Sequence, residues 1–234
     1  MKINEKEFYE EIKDWDLYKI LKEITTKDSK ILDLGTGGGE KLLKSFPDCA
    51  EILGTDYSPE MIKTAKKNLK ESGRKNIKFR IMDNLKMDVE DNYYDVVVAR
   101  NTPTDPKQII KCLKPGGYLL IRGVDKYDCH SLKLTFGKED QSKPISIIDY
   151  ENVINAGFKD VELIPIHERE YFKNKYLFKN FLKKVPILDE LCEEGVDYFI
   201  KDIDDNLLDK YIKENTYDQG IRLLRRYYGI IARK

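Results

Sequence analysis

Asp33 stands two residues ahead of a glycine-rich turn, Gly35-Thr36-Gly37-Gly38-Gly39, and Asp56 closes the next apolar run. Those residue types suit one chemistry. Glycines free the backbone to turn sharply and to come close to a ligand. A carboxylate roughly 20 positions beyond such a turn is where a nucleotide-binding βαβ unit holds a ribose diol. Ile31–Leu34 reads as a buried strand leading into the turn, a helical pattern follows, and Ile52-Leu53-Gly54-Thr55 is the second strand. The residue after Gly39 is Glu40, where the dinucleotide pattern wants Gly or Ala, which speaks against a nicotinamide cofactor.

Further segments extend the pattern. Ile77–Asn84 is an apolar-biased run ending in Asp83, Tyr94–Arg100 is a second, and Leu113-Lys114-Pro115-Gly116-Gly117 leads into Tyr118–Arg122. Together with Asp33–Gly39, these segments resemble class I S-adenosylmethionine-dependent methyltransferases over residues 27–124. The resemblance implies a Rossmann-like, doubly wound α/β fold with a seven-stranded sheet, mostly parallel, whose last strand is antiparallel. It implies S-adenosylmethionine as cofactor and S-adenosylhomocysteine as product. Asp33 and the backbone of Gly35, Thr36, Gly37 and Gly39 would hold the methionine end, and Asp56 the ribose hydroxyls. Tyr57 and Met61 would pack near the adenine or ribose. Asp83 would read the adenine amino group, with Asn84 and Leu85 beside the ring.

The acceptor side is less defined. Arg100 and Asn101 follow the fourth core strand and are expected to line the pocket, Arg100 also bordering the cofactor. Amino-methylating enzymes of nucleic-acid bases often carry Asn/Asp-Pro-Pro-aromatic here, and Asn101-Thr102-Pro103-Thr104 lacks the second proline and the aromatic. His130 and His167 are the two histidines, each a candidate base near neutral pH. Arg225-Arg226-Tyr227-Tyr228 reads as an anion site or as the edge of the last strand. A methyl on a sulfonium needs only an aligned nucleophile and exclusion of water. No metal is implied.

The expected activity is methyl transfer to a small-molecule acceptor by in-line displacement. An RNA or protein methyltransferase using Lys173–Lys184 as a docking strip is the alternative, as is a non-catalytic S-adenosylmethionine-binding protein. The 234 residues are 41% hydrophobic and 36% charged, with 42 basic and 42 acidic side chains. That balance speaks against a general nucleic-acid binder. No apolar run approaches the length of a membrane span or a signal sequence. Cys49, Cys112, Cys129 and Cys192 are scattered, without zinc or disulfide spacing, and a reduced cytoplasmic location is expected. The chain could act as a monomer or a homodimer.

Periodicity supplies the frame as one domain. Residues 1–26 are an N-terminal helical cover, with helical spacing over 4–24, and 27–124 are the cofactor-binding core. Ser58 and Pro59 begin a helix that Gly73 ends. Beyond the core, Ile145–Asn155 reads as a helix, Val161–Ile166 as a strand and Arg225–Ala232 as the last strand. Residues 168–221 then form an insertion between the last two strands, with helical patterns near 174–184, 188–200 and 204–215 separated at Pro186. Its first part is basic and aromatic, its second acidic. The insertion is expected to act as a lid, and the bland alternative is that the two charged runs face solvent or each other.

Overall fold

The computed structural model describes residues 8–11, 15–138, 142–185, 187–188 and 203–234. In chain order the elements are β1 (Phe8–Glu11), α1 (Leu17–Ile24), β2 (Lys30–Leu34), α2 (Glu40–Ser45), β3 (Glu51–Asp56), α3 (Pro59–Ser72), β4 (Ile77–Ile81), β5 (Tyr94–Arg100), α4 (Pro106–Cys112) and β6 (Leu113–Val124). They continue with α5 (His130–Thr135), α6 (Ile145–Asn155), β7 (Lys159–Phe172), α7 (Lys175–Lys184), α8 (Asp205–Asn215), β8 (Thr216–Tyr217) and β9 (Gly220–Arg233). The chain divides into two compact units.

The larger unit takes Trp15–Val124, Ile145–Ile164 and Tyr228–Lys234. Its hydrogen-bonded strand order is β7-β9-β6-β5-β2-β3-β4. The pairs β6–β5, β5–β2, β2–β3 and β3–β4 are parallel. The last residue, Lys234, exchanges backbone hydrogen bonds with Gly116 and Gly117, so β9 ends where β6 begins and runs antiparallel to it. This is the expected sheet. Val96–Ala99 are buried without a break, as a parallel strand covered on both faces requires. Of these, Val97 and Ala99 join a core with Leu32, Leu34, Ile109, Leu119, Ile121, Val153 and Ile230. The capping expectations hold: the Ser58 hydroxyl accepts from the Met61 N–H at 3.3 Å, Pro59 opens α3, and Gly73 ends it at φ +70°.

The second unit takes the described residues of Met1–Asp14, Asp125–Pro144 and Pro165–Tyr227. Its core holds Leu132, Phe172, Phe178, Phe181, Leu182, Leu208, Tyr211, Ile221 and Leu223. Here the structure corrects the sequence in three places. Residues 8–11 are a strand pairing antiparallel with β7, Phe8 opposite Tyr171, and the helix starts only at Leu17, after the Asp16 cap. Strand β7 runs on to Phe172 and β9 starts at Gly220, so the insertion is shorter than 168–221. Residues 130–135 form a short helix that periodicity did not indicate. The expected helices at 174–184 and 204–215 are α7 and α8, whereas Pro186, Cys192 and most of 188–200 lie outside the described residues.

The β7 extension was hidden because its buried face is charged. Ile166, Glu168, Glu170 and Phe172 alternate inward, and on β9 Ile221, Leu223, Arg225 and Tyr227 do the same. Arg225 meets Asp128 through three hydrogen bonds of 2.9–3.1 Å and lies 3.6 Å from Glu170. The Arg225 guanidinium is therefore held inside an ion cluster, which settles the Arg225–Tyr228 segment as strand rather than free anion site. The opposed charge runs of the insertion also meet each other: Lys175 reaches Asp205 and Asp209, and Lys179 reaches Asp205.

Removing one partner of a buried pair leaves an uncompensated charge, which costs more than the pair contributes. Asp128→Ala is expected to lower unfolding stability by about 3 kcal/mol in urea titration. The paired change Asp128→Leu with Arg225→Met should cost less than the sum of the single changes. A stability of Asp128→Ala within about 1 kcal/mol of the parent would show the cluster to be energetically idle.

Candidate functional site

The parallel register brings the C-terminal ends of five strands to one edge of the larger unit. Asp33 is opposite Gly54 and Leu34 opposite Thr55. Leu34 is also opposite Ala99, Asp56 opposite Ile81, and Arg100 opposite Arg122. Ligands of open α/β sheets lie outside these ends. Along the edge, in the order β6, β5, β2, β3, β4, the charged residues are Arg122, Arg100, Asp33, Asp56 and, just past β4, Asp83.

The glycine turn is built against this edge. The Thr36 N–H donates to the Thr55 carbonyl at 2.8 Å, and the Gly37 N–H donates to Asp56 Oδ2 at 2.8 Å. Asp56 Oδ1 accepts from the Ser58 N–H at 3.0 Å, so one carboxylate ties the turn to the start of α3. An ionised carboxylate has about four lone-pair sites, which leaves acceptor capacity for a ligand. Gly35 sits at φ +68°, and a Cβ there would lie 2.6 Å from Thr102 Cβ. Gly39 sits at φ +78°, and a Cβ there would lie 2.8 Å from the Phe79 ring. Both positions admit glycine alone without rearrangement. From behind, Asn68 Nδ2 donates to the Gly38 carbonyl at 2.8 Å.

Asp33 is 4% exposed, and burial pushes its carboxyl up to about 7, an effect opposed by the Thr36 side chain and Arg100. Asp83 Oδ1 accepts from the Leu85 N–H at 2.9 Å. Asn84 is buried, its Nδ2 donating to Thr102 Oγ1 at 2.8 Å, while its Oδ1 has no hydrogen-bond partner. Tyr57, Met61, Ile81 and Leu85 are large apolar residues left 47–77% exposed at the ends of β3 and β4. Exposed apolar side chains beside partly satisfied carboxylates are what a flat, polar-edged ligand would cover.

The sequence-predicted cofactor residues thus converge on one edge, together with Arg100 and Asn101. Asn101 sits at φ +53°, its N–H bonded to the Arg122 carbonyl at 2.8 Å. His130 and His167 belong to the second unit: His130 opens α5 with its ring edge-on to Tyr127 at 5.5 Å, and His167 lies within β7. Two contributors escaped the sequence reading. Thr102 braces Asn84 and limits position 35. The Tyr18 hydroxyl, on α1, is buried without a partner. Only the Asp16 cap, which bonds the Tyr18 N–H at 2.8 Å, hinted at a helix start there. Among the described residues no three His, Cys, Asp or Glu side chains are grouped to hold a metal ion, and no helix is long and apolar enough to cross a membrane.

The raised Asp33 pKa has a signed consequence. Unfolded, the side chain ionises near 4; folded, it keeps its proton until about 7. Folding takes up a proton in that window, so stability is lost as pH rises from 4 to 7. Asp33→Asn removes the effect. In thermal melts of the ligand-free protein its advantage over the parent should grow between pH 5 and pH 8 by roughly 2 kcal/mol. An equal shift at both pH values would show that Asp33 ionises normally.

Comparison with known proteins agrees with this geometry. A family model described as a methyltransferase domain matches residues 25–161, more than half of the chain. The demethylmenaquinone methyltransferase of Lactococcus lactis subsp. lactis is 38% identical over 97 residues, covering 37% of this chain and 38% of that protein. The protein-L-isoaspartate O-methyltransferase of Myxococcus xanthus is 30% identical over 95 residues, covering 40% and 45%. The chain therefore spans less than half the length of these curated relatives. Among solved structures, the YcgJ protein of Bacillus subtilis superposes with a TM-score of 0.58 at 16% identity, covering 92% of this chain and 96% of that one. With its glycine turn, its row of strand-end carboxylates and this match, the chain belongs to the methyltransferase domain family, the class I S-adenosylmethionine-dependent methyltransferases.

Proposed function

We propose that the chain transfers a methyl group from S-adenosylmethionine to a small-molecule acceptor, releasing S-adenosylhomocysteine. The observation that carries the reading is the row Asp33, Asp56, Asp83 on three adjacent strand ends. Each carboxylate would accept from a group that the cofactor offers as a hydrogen-bond donor: its ammonium, its ribose hydroxyls and its adenine amino group. Bound there, the cofactor supplies a methyl carbon already activated by sulfonium. The residues of the chain do the rest. Asp33 and the Gly35–Gly39 backbone would hold the amino-acid end, and Asp56 the diol. Tyr57, Met61 and Leu85 would cover the ring faces, and Asn84 would offer its unpartnered Oδ1. Arg100 and Asn101 would line the acceptor side, with His130 and His167 as candidate bases.

The relatives named above act on menaquinone precursors and on protein isoaspartate by their printed names, so the family does not choose between small-molecule and protein acceptors. The small-molecule reading is preferred because Lys175 and Lys179 of the basic strip are already paired with Asp205 and Asp209. Docking of a polyanion through that strip would have to break those pairs.

Two measurements test the cofactor site. In calorimetric titration with S-adenosylhomocysteine, Asp56→Ala should largely abolish binding, and unchanged affinity in that variant would sink the assignment. The second is pH. An ammonium pairs with the ionised form of Asp33, whose pKa in the free protein is about 7. Affinity should therefore fall up to about tenfold per unit as pH drops below 7, and level off above it. A flat profile between pH 5.5 and 8 would remove Asp33 from the ammonium.

A further inference from the structure

The neutral total conceals a segregation of charge. Residues 62–80 carry six lysines and two arginines against one acid, Glu71. Three of the eight cations are engaged where they stand. Arg74 donates to the carbonyls of Leu43, Phe46 and Pro47, the Arg80 guanidinium reaches the Asp88 carbonyl, and Lys78 lies 3.8 Å from Glu51. The other five are Lys63, Lys66, Lys67 and Lys70 on α3, and Lys75 just past its Gly73 cap. All five are exposed, and none makes a side-chain hydrogen bond or ion pair with a described residue. Lys63 senses Glu60, but that carboxylate already accepts from the Ser58 hydroxyl at 3.0 Å.

The helix arranges these lysines. At 3.6 residues per turn, Lys63, Lys66, Lys67 and Lys70 fall within an arc of about 100° and form a stripe about 10 Å long. Ile62 and Ala65 take the buried side of α3. Each lysine of the stripe has two others three or four positions away, and like charges at those spacings destabilise a helix. The lysines of α7 are answered by aspartates of α8. Those of α3 have no such answer among the described residues. A self-repelling face that the fold leaves uncompensated is complementary to an anion from outside.

We propose that this face of α3 anchors the phosphate backbone of a nucleic acid. Lysines are point charges on flexible stems, and a row of them neutralises successive phosphates without reading bases. A protein partner would require an apolar or aromatic centre in the face. Met61 is the one large apolar side chain exposed on α3, and it sits in the first turn, off the stripe. The stripe starts one turn inside the Ser58 cap and leads away from the strand ends, because α3 returns the chain from the end of β3 to the start of β4. It therefore holds a strand beside the strand-end edge and not across it. The nucleic acid is a tether, and the acceptor of the proposed function is unaffected.

The test is fluorescence anisotropy of the full chain with a labelled mixed-sequence RNA of about 20 nucleotides, and with DNA of the same sequence, from about 50 to 200 mM salt. The logarithm of the association constant should fall with the logarithm of salt with a slope of about −2 to −3, the value for three or four phosphates neutralised on a single strand. The combined variant Lys63→Gln, Lys66→Gln, Lys67→Gln and Lys70→Gln should bind at least about tenfold more weakly at low salt and flatten the slope by about 2. Its melting temperature should not fall, because it loses only repulsion, and this assigns the lost binding to the face. If it does fall, the pair Lys66→Gln with Lys70→Gln takes its place and should remove about half of the slope. A parent protein that binds neither RNA nor DNA at low salt overturns the proposal. Binding that the variants leave unchanged overturns it as well, since the anchor then lies on another face. Binding of polyglutamate of equal length more tightly than either nucleic acid overturns the choice of partner in favour of an acidic protein.

Discussion

The hydrogen bond from the Gly37 N–H to Asp56 is the contact on which the site depends. It closes the turn after β2 onto the end of β3, and the same carboxylate fixes the first turn of α3 through the Ser58 N–H. Everything that could meet a nucleoside is positioned from there. The turn can take this path because Gly35 and Gly39 adopt left-handed backbone conformations, and because Thr102 and Phe79 fill the space where side chains would be. The parallel register of β4, β3, β2 and β5 then brings Asp83, Asp56, Asp33 and Arg100 to one edge without further devices. One side chain serves as turn cap and, under the proposed function, as ribose ligand. The two roles do not compete, because the cap uses only part of the carboxylate's acceptor capacity.

Residues 27–124 were legible for a physical reason. Buried parallel strands write themselves as unbroken apolar runs, and glycine, proline and serine punctuate the turns between them, so strand limits such as Lys30–Leu34 and Ile77–Ile81 follow closely from the sequence. The second half violates that code. Glu168, Glu170 and Arg225 point inward on β7 and β9, so the alternation that marks a strand is one of burial and not of polarity. The N-terminal strand is concealed differently, in apolar residues whose spacing also fits a helix, and its pairing with β7 lies about 160 residues away in sequence, a separation no local pattern records. Within the site, Asp56 was readable from its spacing to the glycine turn, and Asp33 and Asp83 from the family resemblance. The Tyr18 hydroxyl was not, because an unmet hydrogen bond is a property of surroundings and leaves no mark on the chain.

The buried charges at Arg225 and at Asp33 are met in different ways. In the second unit the buried Arg225 is enclosed by Asp128 and Glu170, and the exposed lysines of α7 face the aspartates of α8. Those charges are spent on one another and specify a fold. In the larger unit Asp33 is buried with its carboxyl raised to about 7, and Arg100 is left without an ion pair among the described residues. Natural cores seldom tolerate such groups unless a ligand completes them. This contrast supports the placement of the proposed cofactor site in the larger unit.

The signed row of strand ends has one more consequence. Running from Arg122 and Arg100 to Asp33, Asp56 and Asp83, it gives the sheet edge a lateral dipole, positive at one side and negative at the other, superimposed on a surface that is neutral overall. A dipole of this kind favours one heading over its reverse for any guest with separated charges. A zwitterionic nucleoside bound as proposed would lie along this row. The reversed pose would put the carboxylate of the amino-acid end beside Asp83 and away from Arg100. The heading that a ligand would take under the proposed function is thus set by the order of the strands in the sheet.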